Sequence, residues 1–170
     1  MNIILRKLTT TDATPIARFL QDKEVVKYLA DLPDPYTLET AETFIRLVME
    51  WEKTGEAFHF AVSEKSKNDI LGVIGVKLID QTNKIGEIGF WLGREYWGKG
   101  VISKAIPQLI SFAFNELTLH ALLAEVFESN TASMKALEKS GFTGVGLSQR
   151  KTCNSKTNEP VYLFKLENKG

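Results

Sequence analysis

Two glycines one residue apart, Gly98 and Gly100, stand between an apolar run, Ile85 to Leu92, and an amphipathic stretch. The apolar positions of that stretch, Ile102, Ala105, Ile106, Leu109 and Ala113, fall at helical spacing. Alternate glycines let several backbone N–H groups converge on one concavity, and the start of the following helix adds partial positive charge there. This arrangement suits an anion, and a pyrophosphate fits it best. Glycines also serve ordinary turns, so the fragment alone admits a plainer reading as well.

The elements that must position this loop follow from periodicity. Ile3 to Leu8 reads as a first strand, and Thr11 or Asp12 can cap a helix running to about Gln21, which Lys23 to Leu29 continues. Leu32-Pro33-Asp34-Pro35 breaks the pattern. Thr37 then caps a helix carrying Ala41, Phe44, Ile45 and Val48 on one face, ended by Gly55. Phe58–Ser63, Leu71–Ile79 and Ile85–Leu92 are strands joined by short polar turns, which predicts an antiparallel meander. A helix from about Gly98 to Glu116, with Pro107 expected to kink it, leads to Ala121–Phe127, an apolar run that reads as a strand buried on both sides. A helix between these strands implies a parallel crossover. The helix Thr131 to Lys139, ending before Gly141, and the strands Phe142–Lys151 and Val161–Glu167 complete a mixed sheet with helices on both faces.

Composition narrows the classes. A chain of 170 residues, 44% hydrophobic and 25% charged, fits one globular domain spanning 1–170. Lys plus Arg and Asp plus Glu number 21 each, so there is no global basic field for nucleic acid and any anion site must be local. One cysteine, Cys153, excludes an internal disulfide, and no apolar run approaches the roughly 18 residues of a membrane span. The N-terminus does not resemble a signal peptide, and a cytoplasmic location is expected.

Four pieces in this order, ILRKLTTTDA, GEIGFWLGREYWGKG, EVFESNTASMKALEKSGF and the final hairpin, resemble the GNAT superfamily of acetyl-CoA-dependent N-acyltransferases. Within it the chain looks like the Rim-type branch, the ribosomal-protein N-terminal acetyltransferases and their relatives. The superfamily often has Gln or Arg three residues before the first loop glycine, where this chain has Glu95. The resemblance implies an α/β fold around a mixed, mostly antiparallel sheet of about seven strands. It implies acetyl-CoA as co-substrate, with no metal, and an amine acceptor. It sets the pantetheine arm beside Phe90, Trp91 and Leu92 and the pyrophosphate on the amides of Trp97, Gly98, Lys99, Gly100, Val101, Ile102 and Ser103. Asn130 is implied to bond the pantetheine or to sit near it, while its residue type equally suits a helix cap. A homodimer is compatible with this reading.

Transfer requires an amine to lose a proton, attack a thioester carbonyl and release a thiol. An α-amine with pKa near 8 needs about 1 kcal/mol to be neutral at pH 7, whereas a lysine near 10.4 needs about 4 to 5 kcal/mol. A modest base suffices for the first. Glu87 is expected in that role, directly or through water, because it stands in an apolar strand beside the cradle where burial raises a carboxyl's pKa. The alternative is a place on the wet face of the sheet or beside a basic residue. Ser133 resembles the serine of the Rim-like branch that protonates the leaving thiolate, since Leu137 occupies the place where many other members have Tyr. The N–H of Phe90 or Trp91 is the expected oxyanion donor.

The acceptor groove is expected between the first two helices and the last hairpin, where Asp22, Glu24, Asp31, Asp34, Glu39 and Glu42 can draw a cation. The acceptor is expected to be a protein N-terminus. A polyamine, an aminoglycoside or an amino acid is the alternative, and a non-catalytic CoA-binding domain is the reading from another class. His59 and His120 lack metal-ligand spacing and are expected to be structural, and Cys153 has no neighbouring histidine to activate it.

Overall fold

A computed structural model of the chain describes residues 1–29, 32–149 and 158–170. Among the described residues seven strands make one sheet: β1 (Ile3–Lys7), β2 (Ala57–Glu64), β3 (Ile70–Asp80), β4 (Ile85–Leu92), β5 (Ala121–Phe127), β6 (Thr143–Leu147) and β7 (Val161–Glu167). Their order is β1-β2-β3-β4-β5-β7-β6, antiparallel throughout except at β4–β5. The exception is where the chain crosses over through the helix that follows β4.

Helices α1 (Ala13–Phe19), α2 (Lys23–Val26) and α3 (Leu38–Thr54) cover one face, and α4 (Val101–Ser111) and α5 (Thr131–Lys139) cover the other. Strand alternation divides the core accordingly. Val62, Ile74, Ile88 and Leu122 pack with Ile106 and Leu109 of α4, while Ala61 and Val73 pack with Ile16, Ile45 and Val48.

Helix α3 starts as its sequence predicts, the Thr37 hydroxyl accepting from the Thr40 N–H at 3.1 Å, and it ends at Gly55 in the left-handed region at φ 75°. The first helix departs from expectation. It stops at Phe19, and α2 is a separate turn capped by Asp22, which accepts from the Glu24 N–H. Asp12 does not cap α1; its buried carboxylate accepts two hydrogen bonds of 2.8 Å from the Arg6 guanidinium and a third from the Thr9 N–H. A two-pronged partner on β1 outcompetes the helix amides. The helix predicted from Gly98 begins at Val101, with Gly100 as its N-cap, and passes after Ser111 into a π-helical turn over Phe112–Glu116. Strand β5 is fully covered on one face, at Leu122, Ala124 and Val126, while on the other Ala121 is covered and Leu123, Glu125 and Phe127 are half-buried. Strand β6 ends at Leu147, short of the predicted Lys151, which lies outside the described residues.

Candidate active site

The parallel joint between β4 and β5 is short. It pairs Ile85 with Ala121, Gly86 with Leu122 and Glu87 with Leu123, and beyond Glu87 the strands diverge into a V. The gap is part of a cavity of 670 Å³ lined by Ile88 to Leu92 on one side and Ala124 to Phe127 on the other. Gly93 donates its N–H to the Leu71 carbonyl on the β3 side. By alternation the peptide groups of Trp91 also face β3, and those of Phe90 and Leu92 face the gap. The Leu92 carbonyl is engaged by the Trp97 indole N–H at 3.0 Å. Phe90 therefore offers a donor and an acceptor and Leu92 a donor, whereas Trp91 contributes its ring, packed edge-on against Phe19. Trp91 is thereby corrected as an oxyanion donor. Unpaired backbone groups in a central strand are costly unless something completes the ladder, and the amides of a pantetheine arm have the chemistry to do so.

At the open end of the V the chain makes the glycine loop. Gly98 and Gly100 have φ 68° and 71°, with open space where a Cβ would stand, so backbone conformation rather than crowding demands glycine. Among the described residues no side chain caps α4, and its first-turn N–H groups have the orientation that suits an anion. Trp97, Gly98, Gly100, Val101, Ile102 and Ser103 line the cavity. Lys99 is not part of that lining; its Nζ lies 6.0 Å from the Tyr96 ring centre. Glu95, the departure from the superfamily pattern, is turned to Arg18 of α1 at 3.3 Å.

Asn130 caps a helix, as its residue type suits. Its Oδ1 accepts from the Ser133 N–H at 3.3 Å, which caps α5, and the residue lines the cavity. Ser133 also lines the cavity and is half-buried. Leu137 is wholly in the core, so no chemistry can come from that position.

Glu87 is at the vertex, on the last paired residue, half-buried, and it is not among the cavity-lining residues. Cross-strand pairing puts its side chain on the face covered by α1 to α3, together with Leu123 and, two residues on, Glu125. Glu125 does line the cavity, and it accepts a hydrogen bond from the Ser148 hydroxyl. Continuing the register across the gap sets Glu125 opposite Gly89, which is exposed although β4 is the central strand. Sequence reasoning missed Glu125, although a lone carboxylate in an apolar strand is the signal that singled out Glu87. The helical carboxylates expected to attract a cation are placed otherwise. Asp22 pairs with Arg94, Asp22, Glu24, Asp34, Glu39 and Glu42 do not line the cavity, and Asp31 lies outside the described residues. Val25, Tyr28 and Leu29 close the cavity over β5, where Tyr28 packs against Phe127 at 6.4 Å.

His120 sits at the helix–strand junction, its backbone bonded to Lys84 and Asn168. Among the described residues no three His, Cys, Asp or Glu side chains gather as a metal site, and Cys153 lies outside them.

Residues 2–143 match the Acetyltransferase (GNAT) domain family. The chain is 33% identical over 165 residues to the uncharacterized N-acetyltransferase p20 of Bacillus licheniformis, covering 96% of this chain and 92% of that protein. Its fold superposes on the ribosomal-protein-S5-alanine acetyltransferase of Vibrio fischeri with a TM-score of 0.87 at 23% identity, covering 99% and 94% of the two chains. Against the spermidine N-acetyltransferase of Vibrio cholerae, solved with CoA and spermine, the TM-score is 0.83 at 18% identity, covering 98% and 95%. A splayed parallel joint, a left-handed glycine loop at a helix start and these matches agree: the chain belongs to the GNAT acetyltransferases, which move an acetyl group from acetyl-CoA to an amine.

Proposed function

We propose that the chain, as one domain, acetylates the N-terminal α-amine of a protein or peptide by direct attack with both substrates bound. The observation that carries this reading is the V between β4 and β5, which has donor amides at one end and Glu125, with Glu87 one row behind it, on the other face. The pyrophosphate lies on the amides of the Gly98–Ser103 loop, and the gap-facing groups of Phe90 and Leu92 and the Asn130 side chain align the pantetheine arm. The amine arrives from the face of α1 to α3 as an ammonium held by Glu125. Its proton passes to Glu125 or, through water, to Glu87. The amine lone pair forms the new C–N bond, the Phe90 N–H holds the developing oxyanion, the C–S bond breaks, and Ser133 gives its proton to the departing sulfur while the second proton of the attacking nitrogen, relayed through water, restores the Ser133 hydroxyl. An α-amine suits a carboxylate base because it needs so little free energy to become neutral. The likeness to a ribosomal-protein acetyltransferase supports a protein acceptor, and a cytoplasmic location belongs to the same reading.

The test is thiol release from acetyl-CoA with peptides of varied N-termini, polyamines, aminoglycosides and amino acids. Peptides are expected to turn over best. Ser133→Ala and Glu125→Gln should lower kcat about 10- to 100-fold with acetyl-CoA affinity kept, and Glu87→Gln should lower it less. Preference for a polyamine would overturn the acceptor class, and full activity in both carboxylate variants would sink the proton route.

A further inference from the structure

The cavity passes through the sheet, and its charge differs from one mouth to the other. Among the described residues three charged side chains line it: Glu125 of β5, and Lys135 and Lys139 of α5. Glu125 stands on the face covered by α1 to α3, whereas α5 lies beside α4 on the opposite face. At that second mouth the lining runs from Ile102 and Ser103, in the first turn of α4, to Ala136 and Lys139. Ala136 is buried and carries only a methyl group, so the cavity continues as a groove between the two helices, with the glycine loop at its head. Lys135 and Lys139 are one helical turn apart, which sets both side chains on one flank of α5 with Cβ atoms roughly 5 to 6 Å apart. Both are exposed, and among the described residues neither ammonium meets a carboxylate, whereas Lys7, Lys53 and Lys165 each pair with a glutamate. The glycine loop itself brings no cation to the cavity: Lys99 is outside the lining, and Lys104 Nζ is bonded to the Met1 carbonyl at 2.9 Å.

We infer that Lys135 and Lys139 form a second anion subsite, which takes the 3′-phosphate of acetyl-CoA and so selects this co-substrate over acyl carriers that lack the group. The inference rests on the diphosphate lying at the glycine loop and is independent of which amine is acetylated. A phosphate monoester carries about −1.5 to −2 charge at pH 7, and it hangs from the ribose one sugar beyond the diphosphate. Loop amides are neutral donors in fixed directions, suited to the diphosphate that rests on them. A dianion farther along the groove needs charge instead, and the chain as a whole, with no net charge, supplies none at long range. Lysine binds phosphate as a point charge with three rotatable donors, so two ammonium groups on long stems can close on one phosphate as it docks. The same polarity sets the direction of entry, because Glu125 repels the phosphate end from the mouth where the amine arrives.

Calorimetric titration of CoA and of 3′-dephospho-CoA, with no acceptor present, tests this. Gln keeps the helix propensity and most of the stem of an exposed lysine, so the Lys135→Gln/Lys139→Gln variant folds. The wild-type protein should bind CoA about tenfold or more tightly than 3′-dephospho-CoA at about 50 mM salt, and the ratio should shrink as salt rises to about 500 mM. The double variant should bring the ratio to within about twofold of unity by weakening CoA while leaving 3′-dephospho-CoA unchanged. Lys104→Gln, in the first turn of α4 at the same mouth, should leave the wild-type ratio intact. Equal wild-type affinities, a ratio that survives in the double variant, or an equal loss for both ligands overturns the inference. If the wild-type protein binds neither ligand, the glycine loop holds no diphosphate and the subsite falls with it. A protein that shows the ratio yet ignores peptides contradicts the acceptor proposed above and upholds the subsite.

Discussion

A histidine ring packed between Phe44 and Trp51, with the Gly75 backbone beneath it, cannot be hydrated when it takes up a proton. Burial lowers the His59 pKa from 6.5 to about 4. The unfolded chain binds that proton near pH 6.5 and the fold refuses it until about pH 4, so stability falls as pH drops through this window and is fully present above it. The loss amounts to roughly 3 kcal/mol at most. Asp12 works in a different range. Burial disfavours its charge, but the hydrogen bonds from Arg6 and Thr9 outweigh burial and lower its pKa from 3.8, so its stabilisation is lost only as pH falls below that value. Urea titrations at pH 7 and pH 4.5 should therefore show a drop that His59→Leu largely removes and Asp12→Asn does not. A drop of the same size in His59→Leu would assign it to other groups. Of these two residues the sequence disclosed little. His59 was legible as structural, but its place over Gly75 depends on a cross-strand register, and Asp12 read as a cap because its partner on β1 is a tertiary fact.

At the scale of elements, the glycine loop carries the sharpest expectation. Gly100→Ala puts a Cβ into open space, yet a left-handed alanine costs roughly 1 to 2 kcal/mol. Relaxation of that strain turns the loop N–H groups away from the phosphates, and each charged hydrogen bond lost is worth about 1.5 to 3 kcal/mol, so the acetyl-CoA Kd should rise about tenfold or more. Gly55→Ala is the matching control: its φ is 75°, its Cβ position is equally open, and it sits at the far end of α3. Calorimetric titration should show normal acetyl-CoA affinity for Gly55→Ala and weakened affinity for Gly100→Ala at similar loss of Tm. Equal affinities would mean that the loop does not hold the phosphates. Elements such as α3 and β2 to β4 were legible because periodicity, caps and turns agree on them. The V was not, because where a strand stops pairing is decided by its neighbours. Strand β5 illustrates this: its apolar composition reads as burial on both sides, and the open gap leaves Glu125 and Phe127 as cavity wall instead.

For the molecule as a whole, the V is the weak lateral joint of the sheet. Strands β1 to β4 with α1 to α3 form one side and β5 to β7 with α5 the other, and the direct ladder between them has three residue pairs against eight at β3–β4 and seven at β5–β7. A co-substrate that fills the gap and also rests on the α4 loop bridges the two sides. At 100 times Kd, binding to the fold alone adds about 2.7 kcal/mol, which for a chain of this size raises Tm by roughly 5 to 10 °C. ADP supplies a pyrophosphate but no arm for the gap. Acetyl-CoA should therefore slow amide exchange in Ile88–Leu92 and Ala124–Phe127, whereas ADP should slow it only around Gly98 to Ser103. The exchange pattern also separates bridging from simple affinity, because ligand concentrations can be set to give equal Tm shifts before the two maps are compared. If both ligands protect the V equally, the pantetheine arm does not complete the strand edge. Acetyl-CoA would then have to reach the acceptor face by another path than the one between β4 and β5.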